Sequence, residues 1–296
     1  FKPWPRLSPR VAAGRRSSMP KAEEGENDLV LDAQLGRDAL FDMTGKVVLV
    51  TGGGSGIGAM IAGGFAANGA SVYICSRKDT SGFAKQLTAK GPGSCTAISA
   101  DLTQQGDVDR VVDAVRKGSG KLHCLVNNAG ANWAQPLEEF DVAGWNKTND
   151  LNVTAVFNLT RCALPLLKAS ASAEDPARVI NVASIDAVQT PFLDTFAYSA
   201  GKAAVVHMSE VLAGRLVQEH VAVNCVLPGA FQSRMMRATI KAAGGTGTLG
   251  RKLMGGRIGA PGDITGACLF LASRAGSWTT GARIVLDGGH IASPRL

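Results

Sequence analysis

From Lys46 onward the chain alternates short apolar, β-branched runs with longer stretches of helical period. That is the order expected of parallel strands joined by crossover helices. The runs predict strands at 47–51, 71–76, 95–100, 123–127, 178–182, 221–227 and 283–286, and the stretches between them predict helices at 56–68, 83–90, 107–116, 142–168, 195–219 and 263–271. The expected fold is therefore α/β, one Rossmann-type domain with a doubly wound sheet of seven parallel strands and helices on both faces.

Segment 231–262, rich in Gly, Met and Arg, interrupts this rhythm and delays the seventh strand. Open α/β sheets bind ligands at the carboxyl ends of their strands, so an insertion there reads as a substrate lid, with an idle surface loop as the alternative. Residues 47–76 carry no charge over 30 positions, enough on paper to span a bilayer. Eight of them are glycines, and Ser, Thr and Asn interrupt the rest. The stretch reads instead as strand, turn, helix and second strand, with no membrane span. Residues 1–43 lack the alternating pattern and are expected to form a flexible extension to a domain at 44–296.

Charge sharpens this picture. The formal charge is +7, yet seven basic and seven acidic side chains cancel within residues 1–43. Between Glu219 and Asp263 there are six bases (Arg234, Arg237, Lys241, Arg251, Lys252 and Arg257) and no acid. The excess thus sits on the expected lid, and without an aromatic-interleaved basic stripe it does not point to nucleic acid. The six cysteines lie at least twenty residues apart, with no histidine at metal-ligand spacing. No metal is expected, and small buried thiols fit a reducing, cytoplasmic setting. The first 21 residues, with six bases and no acid, read either as an organelle transit-peptide remnant or, if Met19 is the natural start, as upstream sequence.

The first predicted strand runs into Thr51-Gly52-Gly53-Gly54-Ser55-Gly56-Ile57-Gly58, followed by a helix. Missing side chains let backbone approach a pyrophosphate, whose charge the helix N-terminus stabilises. The set Gly52, Gly54, Ser55, Gly56, Ile57 and Gly58 is therefore a candidate dinucleotide cradle, and the lack of Gly-Lys-Ser/Thr argues against a triphosphatase. At the end of strand 2, where a free ribose 2′-hydroxyl would call for an acid, the chain has Ser76-Arg77-Lys78. A guanidinium there can pair with a 2′-phosphate, so NADPH/NADP+ is expected over NAD, a solvated charge pair being the alternative. Asp101, with Leu102 beside it, either bonds the adenine amino group or caps the next helix.

Ser184 follows strand 5, and Tyr198 and Lys202 stand at i and i+4, on one face of a predicted helix. Taken in order with the glycine turn, Asn127-Asn128-Ala129-Gly130 after strand 4, and Asn152, this constellation resembles the short-chain dehydrogenase/reductase family over about residues 44–291. The resemblance implies that Tyr198 donates a proton to a substrate carbonyl while Ser184 holds its oxygen. Lys202 would bond the nicotinamide ribose and lower the tyrosine pKa, and Asn152 would hold a proton-relaying water. Asn128, Ala129, Gly130, Pro228 and Gly229 would complete the cofactor set. It also implies a homotetramer or homodimer built partly through helices 142–168 and 195–219.

Within the family the chain is most similar to NADPH-dependent β-ketoacyl reductases, especially the rhamnolipid-biosynthesis type and its fungal relatives. The carrying segments are Asn132-Trp133, residues 170–182, residues 231–236 and Gly256-Arg257-Ile258-Gly259. A basic lid would attract an acidic acyl carrier protein or the phosphates of coenzyme A, or serve only the cofactor. Met235, Met236, Leu249, Leu253 and Met254 could line a path for an acyl chain. The expectation is a 3-oxoacyl reductase. The alternatives are a reductase or dehydrogenase of another small ketone or alcohol (a secondary metabolite, sugar or steroid) and a non-catalytic NADP-binding protein. His207 and His220 read as packing or surface residues.

Overall fold

The computed structural model describes residues 35–292 except Phe192, Lys252 and Met254. The expected behaviour of residues 1–34 and the acyl-path role of Met254 lie outside the described residues. Seven strands, β1 (Val47–Thr51), β2 (Ser71–Ser76), β3 (Ser94–Ser99), β4 (Cys124–Asn127), β5 (Ala177–Val182), β6 (Val221–Pro228) and β7 (Arg283–Leu286), form one parallel sheet in the order 3-2-1-4-5-6-7. The chain winds outward from β1 to β3 and then returns to β4. The point of reversal, between the carboxyl ends of β1 and β4, is where such sheets leave a crevice.

The helices are α1 (Arg37–Phe41), α2 (Gly56–Ala67), α3 (Ser81–Lys90), α4 (Gln105–Ser119), α5 (Val142–Asn149), α6 (Ala155–Lys168), α7 (Phe196–Leu216), α8 (Arg237–Ala242), α9 (Thr246–Arg251) and α10 (Pro261–Ala272). Alternation along each strand divides the core into two layers. Val48, Val50, Val126, Ile180 and Val226 pack with Ile61 and Phe65 of α2 and with Ile264 and Leu271 of α10. Leu49, Leu125, Val179 and Val223 face the other way, onto Val108 and Val111 of α4 and Leu159 and Leu167 of α6. Burial of each such large side chain contributes about 1.5–3 kcal/mol. Met43 is also fully buried in the first layer, and the compact body begins at Arg37, so residues assigned by pattern to the extension belong to it.

Three expected elements differ in the structure. The single helix at 142–168 is two helices joined by a π turn at Asp150–Thr154, where the buried Asn152 amide takes hydrogen bonds outside the helix. The helix at 195–219 ends as a 3-10 turn at Val217–Glu219, stopped by His220 at φ 53°. The segment at 231–262 contains α8 and α9 and is anchored at its start by Phe231, which is 2% exposed and bridges to Gly259. Among the described residues no helix is long and apolar enough to cross a membrane.

Candidate active site

The glycine turn leaves β1 at the sheet's crevice. Gly52 and Gly56 take φ of 65° and 54°, conformations that cost an L side chain about 1–2 kcal/mol. A Cβ on Gly58 would lie 2.4 Å from both the Gly52 carbonyl oxygen and Asn128 Nδ2. The result is a surface of bare backbone at the start of α2, whose first-turn N–H groups have no partner within the helix. Such a surface fits the pyrophosphate of a dinucleotide. Ser55, extended and exposed, heads the helix, and Ile57 packs against the core.

Thr51, not singled out by its sequence context, locks this turn to the end of β4. Its Oγ1 accepts the Asn128 and Ala129 N–H groups at 2.9 and 2.8 Å, while Asn128 Nδ2 donates to the Thr51 carbonyl at 2.8 Å. Asn127, the first residue of that motif, points inward instead and donates to Thr160 Oγ1 and Asn181 Oδ1. Ser233 of the lid segment packs over Gly56, where an added Cβ would meet its Cβ at 3.0 Å.

At the end of β2, Ser76 Oγ donates to the Lys78 carbonyl. Arg77 is exposed, and its guanidinium makes no hydrogen bond or ion pair among the described residues, which leaves it open to an anion. Asp101 accepts both the N–H and the hydroxyl of Thr103, at 3.1 and 2.8 Å, and does not cap the next helix as one sequence reading expected: Gln104 holds the cap position of α4, with no side-chain cap bond. Leu102 beside it is buried. Pro228 ends β6, and Gly229 follows, donating to the Leu286 carbonyl at 2.9 Å and leaving no room for a side chain against Asp287.

Ser184, Tyr198, Lys202 and Asn152 come together, all buried. Ser184 heads a 3-10 turn at Ile185–Ala187, its Oγ accepting the Asp186 N–H at 3.1 Å, so its own hydroxyl proton is free to be donated elsewhere. Tyr198 and Lys202 share the inner face of α7, with the ammonium 5.6 Å from the phenol ring centre. Gly130 closes the group: a Cβ there would be 3.0 Å from Asn152 Oδ1 and 3.5 Å from Lys202 Nζ.

The electrostatics differ from the expectation that Lys202 lowers the tyrosine pKa. Burial pushes Tyr198 up to about 12, with the Ser184 hydrogen bond pulling down and the Asp186 carboxylate pushing further up. Burial also pushes Lys202 down to about 8. The physical reason is placement. Lys202 Nζ donates to the Val182 carbonyl at 2.7 Å and stands 5.6 Å from the phenol ring centre. Asp186, which the sequence pattern did not mark, is itself raised by burial.

In segment 231–262, Arg234, Arg237 and Lys241 are exposed, whereas Arg257 is neutralised by a two-point pair with Asp263. A cavity of about 310 Å³ lies between Phe231 and Leu253 on one side and Leu286–Gly289 on the other, and includes none of the four central residues. His207 and His220 are exposed. Cys75, Cys124, Cys225 and Cys268 are buried free thiols. Among the described residues no cluster suits a metal.

Fold, glycine turn and Ser/Tyr/Lys group together define a nucleotide-linked oxidoreductase. The family model described as short chain dehydrogenase matches residues 46–243, and the chain belongs to that family. It is 42% identical over 250 residues to the rhamnolipids biosynthesis 3-oxoacyl-[acyl-carrier-protein] reductase of Pseudomonas aeruginosa, covering 84% of this chain and 97% of that one. It is 35% identical to the L-fucose dehydrogenase of Bos taurus, over 83% and 89% of the two chains. Among solved structures, the Pseudomonas aeruginosa RhlG/NADP active-site complex superposes with a TM-score of 0.81 at 41% identity, over 85% of this chain and 98% of that one.

Proposed function

We propose that the protein is an NADPH-dependent reductase of the 3-oxo group of an acyl thioester. The observation that carries this is the convergence of Ser184, Tyr198 and Lys202 beside the glycine turn, with an unengaged Arg77 at the end of β2. The resemblance to a 3-oxoacyl-[acyl-carrier-protein] reductase supports the substrate class. The cradle Gly52–Gly58 would hold the pyrophosphate, Arg77 the 2′-phosphate, and Asn128 to Gly130 with Pro228 and Gly229 the nicotinamide half.

Bound NADPH supplies the hydride. Ser184 and Tyr198 donate hydrogen bonds to the carbonyl oxygen, where negative charge grows, and Tyr198 hands over its proton to give the alcohol. A phenol held as high as about 12 is protonated at neutral pH, as an acid for reduction must be. Lys202, its ammonium 5.6 Å from the phenol ring centre, would bond the nicotinamide ribose. Asn152, beside Gly130 and Lys202, would position the water that returns the proton. Exposed Arg234, Arg237 and Lys241 support docking of an anionic carrier, coenzyme A or an acidic carrier protein. Exposed Phe157 on α6 and Val211 on α7 support assembly as a homodimer or homotetramer through those helices.

The test is NADPH consumption with acetoacetyl thioesters. The similarity to L-fucose dehydrogenase favours a sugar as second reading. Faster turnover of L-fucose than of any 3-oxoacyl thioester would select it.

A further inference from the structure

The rim of the site is chemically two-sided. On the loops that follow β4 and β5, large apolar side chains stand in the open: Trp133 and Leu137 are 54% and 66% exposed, Val188 and Leu193 47% and 48%. Single exposed hydrophobics need no account. These four occupy two loops that are fastened together. The Gln135 N–H donates to the Asp194 carbonyl at 3.2 Å, and the Trp133 indole N–H donates to Gln135 Oε1 at 2.9 Å. Phe140 meets Phe196 edge to face at 5.7 Å between ring centres.

This lip is continuous with the reacting groups. Val188 closes the 3-10 turn that Ser184 opens, and Leu193 accepts the N–H of Thr195 at 2.7 Å, directly ahead of the helix bearing Tyr198. Its charges are acidic (Glu138, Glu139, Asp141, Asp186 and Asp194), and no Lys or Arg falls within residues 131–146 or 185–201. The neighbouring lip, the segment after β6, presents Arg234, Arg237 and Lys241 with no acid before Asp263. A substrate with an anionic head and an apolar tail can satisfy both lips in one orientation only.

We infer that the lip formed by Trp133, Leu137, Val188 and Leu193 seats the alkyl tail of the substrate, directed away from the basic lid. This rests on the 3-oxoacyl thioester reading and gives that substrate its orientation. The lid methionine path expected from sequence is not the better seat. Leu253 lines the cavity behind the lid, shared with the Arg257–Asp263 pair. Gly229 packs between Asp287, a wall of that cavity, and Ile185, the neighbour of Ser184.

The test is a series of 3-oxoacyl coenzyme A esters from four to twelve carbons, compared under saturating NADPH in the wild type and in a Leu137→Ser/Leu193→Ser variant. The wild type should gain about two- to fourfold in kcat/KM per added methylene, the range that partial to full burial of a CH₂ supplies. The variant should gain less than about 1.5-fold, since two of the four apolar seats become polar. Because each slope compares substrates on one protein, partial loss of folded enzyme cancels. Equal slopes in the two proteins, or a flat wild-type series, overturn the orientation and leave the 3-oxoacyl reading standing. No turnover of any member by the wild type sinks that reading, and the inference with it. Independently, a saturated acyl coenzyme A should shift tryptophan emission to the blue in wild type and not in Trp133→Phe. An unchanged spectrum, or a variant that sediments as a smaller species because the lip belongs to a second copy of the chain, counts against it.

Discussion

Asn152 and Ala131 hold each other at both ends of one peptide edge: Asn152 Nδ2 donates to the Ala131 carbonyl at 2.8 Å, and Asn152 Oδ1 accepts the Ala131 N–H at 2.9 Å. To reach so far inward the chain spends one extra residue in a π turn, so the break between α5 and α6 is the geometric cost of tying the helix to the loop after β4. Asn152→Leu leaves both half-buried Ala131 groups without these partners and removes a fully buried amide. Urea unfolding should show a loss of about 2–4 kcal/mol, together with a fall in kcat; unchanged stability would contradict this role.

The cradle depends on Gly58 as much as on the positive-φ glycines. A methyl there would meet the Gly52 carbonyl oxygen, a backbone atom, at 2.4 Å. Gly58→Ala should therefore push the turn off Asn128 and weaken NADPH binding at least about tenfold, equivalent to roughly 1.4 kcal/mol. Nicotinamide fluorescence titration reads this directly. Gly82, whose added Cβ would meet nothing within 4 Å, is the matched control and should bind normally as Ala.

In the proposed reading, cofactor choice turns on Arg77. Charge reversal at Arg77→Asp removes a charge-assisted partner from a 2′-phosphate and places a repulsive carboxylate there. We expect kcat/KM with NADPH to fall about a hundredfold, roughly 2.7 kcal/mol, while NADH is unaffected or improved. Equal losses for both cofactors would refute the assignment.

A pH dependence of stability follows from His123, at the opposite end of the sheet. Its Nδ1 accepts the Val47 N–H at 2.9 Å, and burial first, then the cations Lys46 and Lys121, push its pKa down to about 4. Between an ordinary value near 6.5 and about 4 the unfolded chain takes up a proton that the folded chain refuses, so stability falls as pH drops through that window. Below it the loss is complete. Urea midpoints at several pH values between 4 and 7 should slope less in His123→Gln than in wild type; parallel slopes would place the acid sensitivity elsewhere.

Sheet and site were legible from sequence where the signal is local. Val221–Pro228 is buried at every position and reads as a central strand with no knowledge of its neighbours. Tyr198 and Lys202 share a helix face by spacing alone. What escaped depends on partners distant in the chain. The hydrophobic period runs smoothly through Asn152, and only Ala131, brought close by the fold, shows why the helix must break. Lys202 donates to the Val182 carbonyl, twenty residues away, a partner its helix spacing does not show. Arg257 looked like a free lid charge because Asp263 belongs to the next helix, where its carboxylate also takes the Ala260 N–H.

The central claim is that Tyr198 is the proton donor of an NADPH-dependent 3-oxoacyl reduction. Its most direct test is the initial rate of NADPH oxidation with acetoacetyl coenzyme A in wild type and Tyr198→Phe, with NADPH affinity measured alongside. The account predicts turnover by the wild type and a loss of at least about a thousandfold in the variant, roughly 4 kcal/mol of barrier, with cofactor binding retained. A variant as fast as wild type, or a wild type that leaves every 3-oxoacyl thioester unreduced, would contradict it.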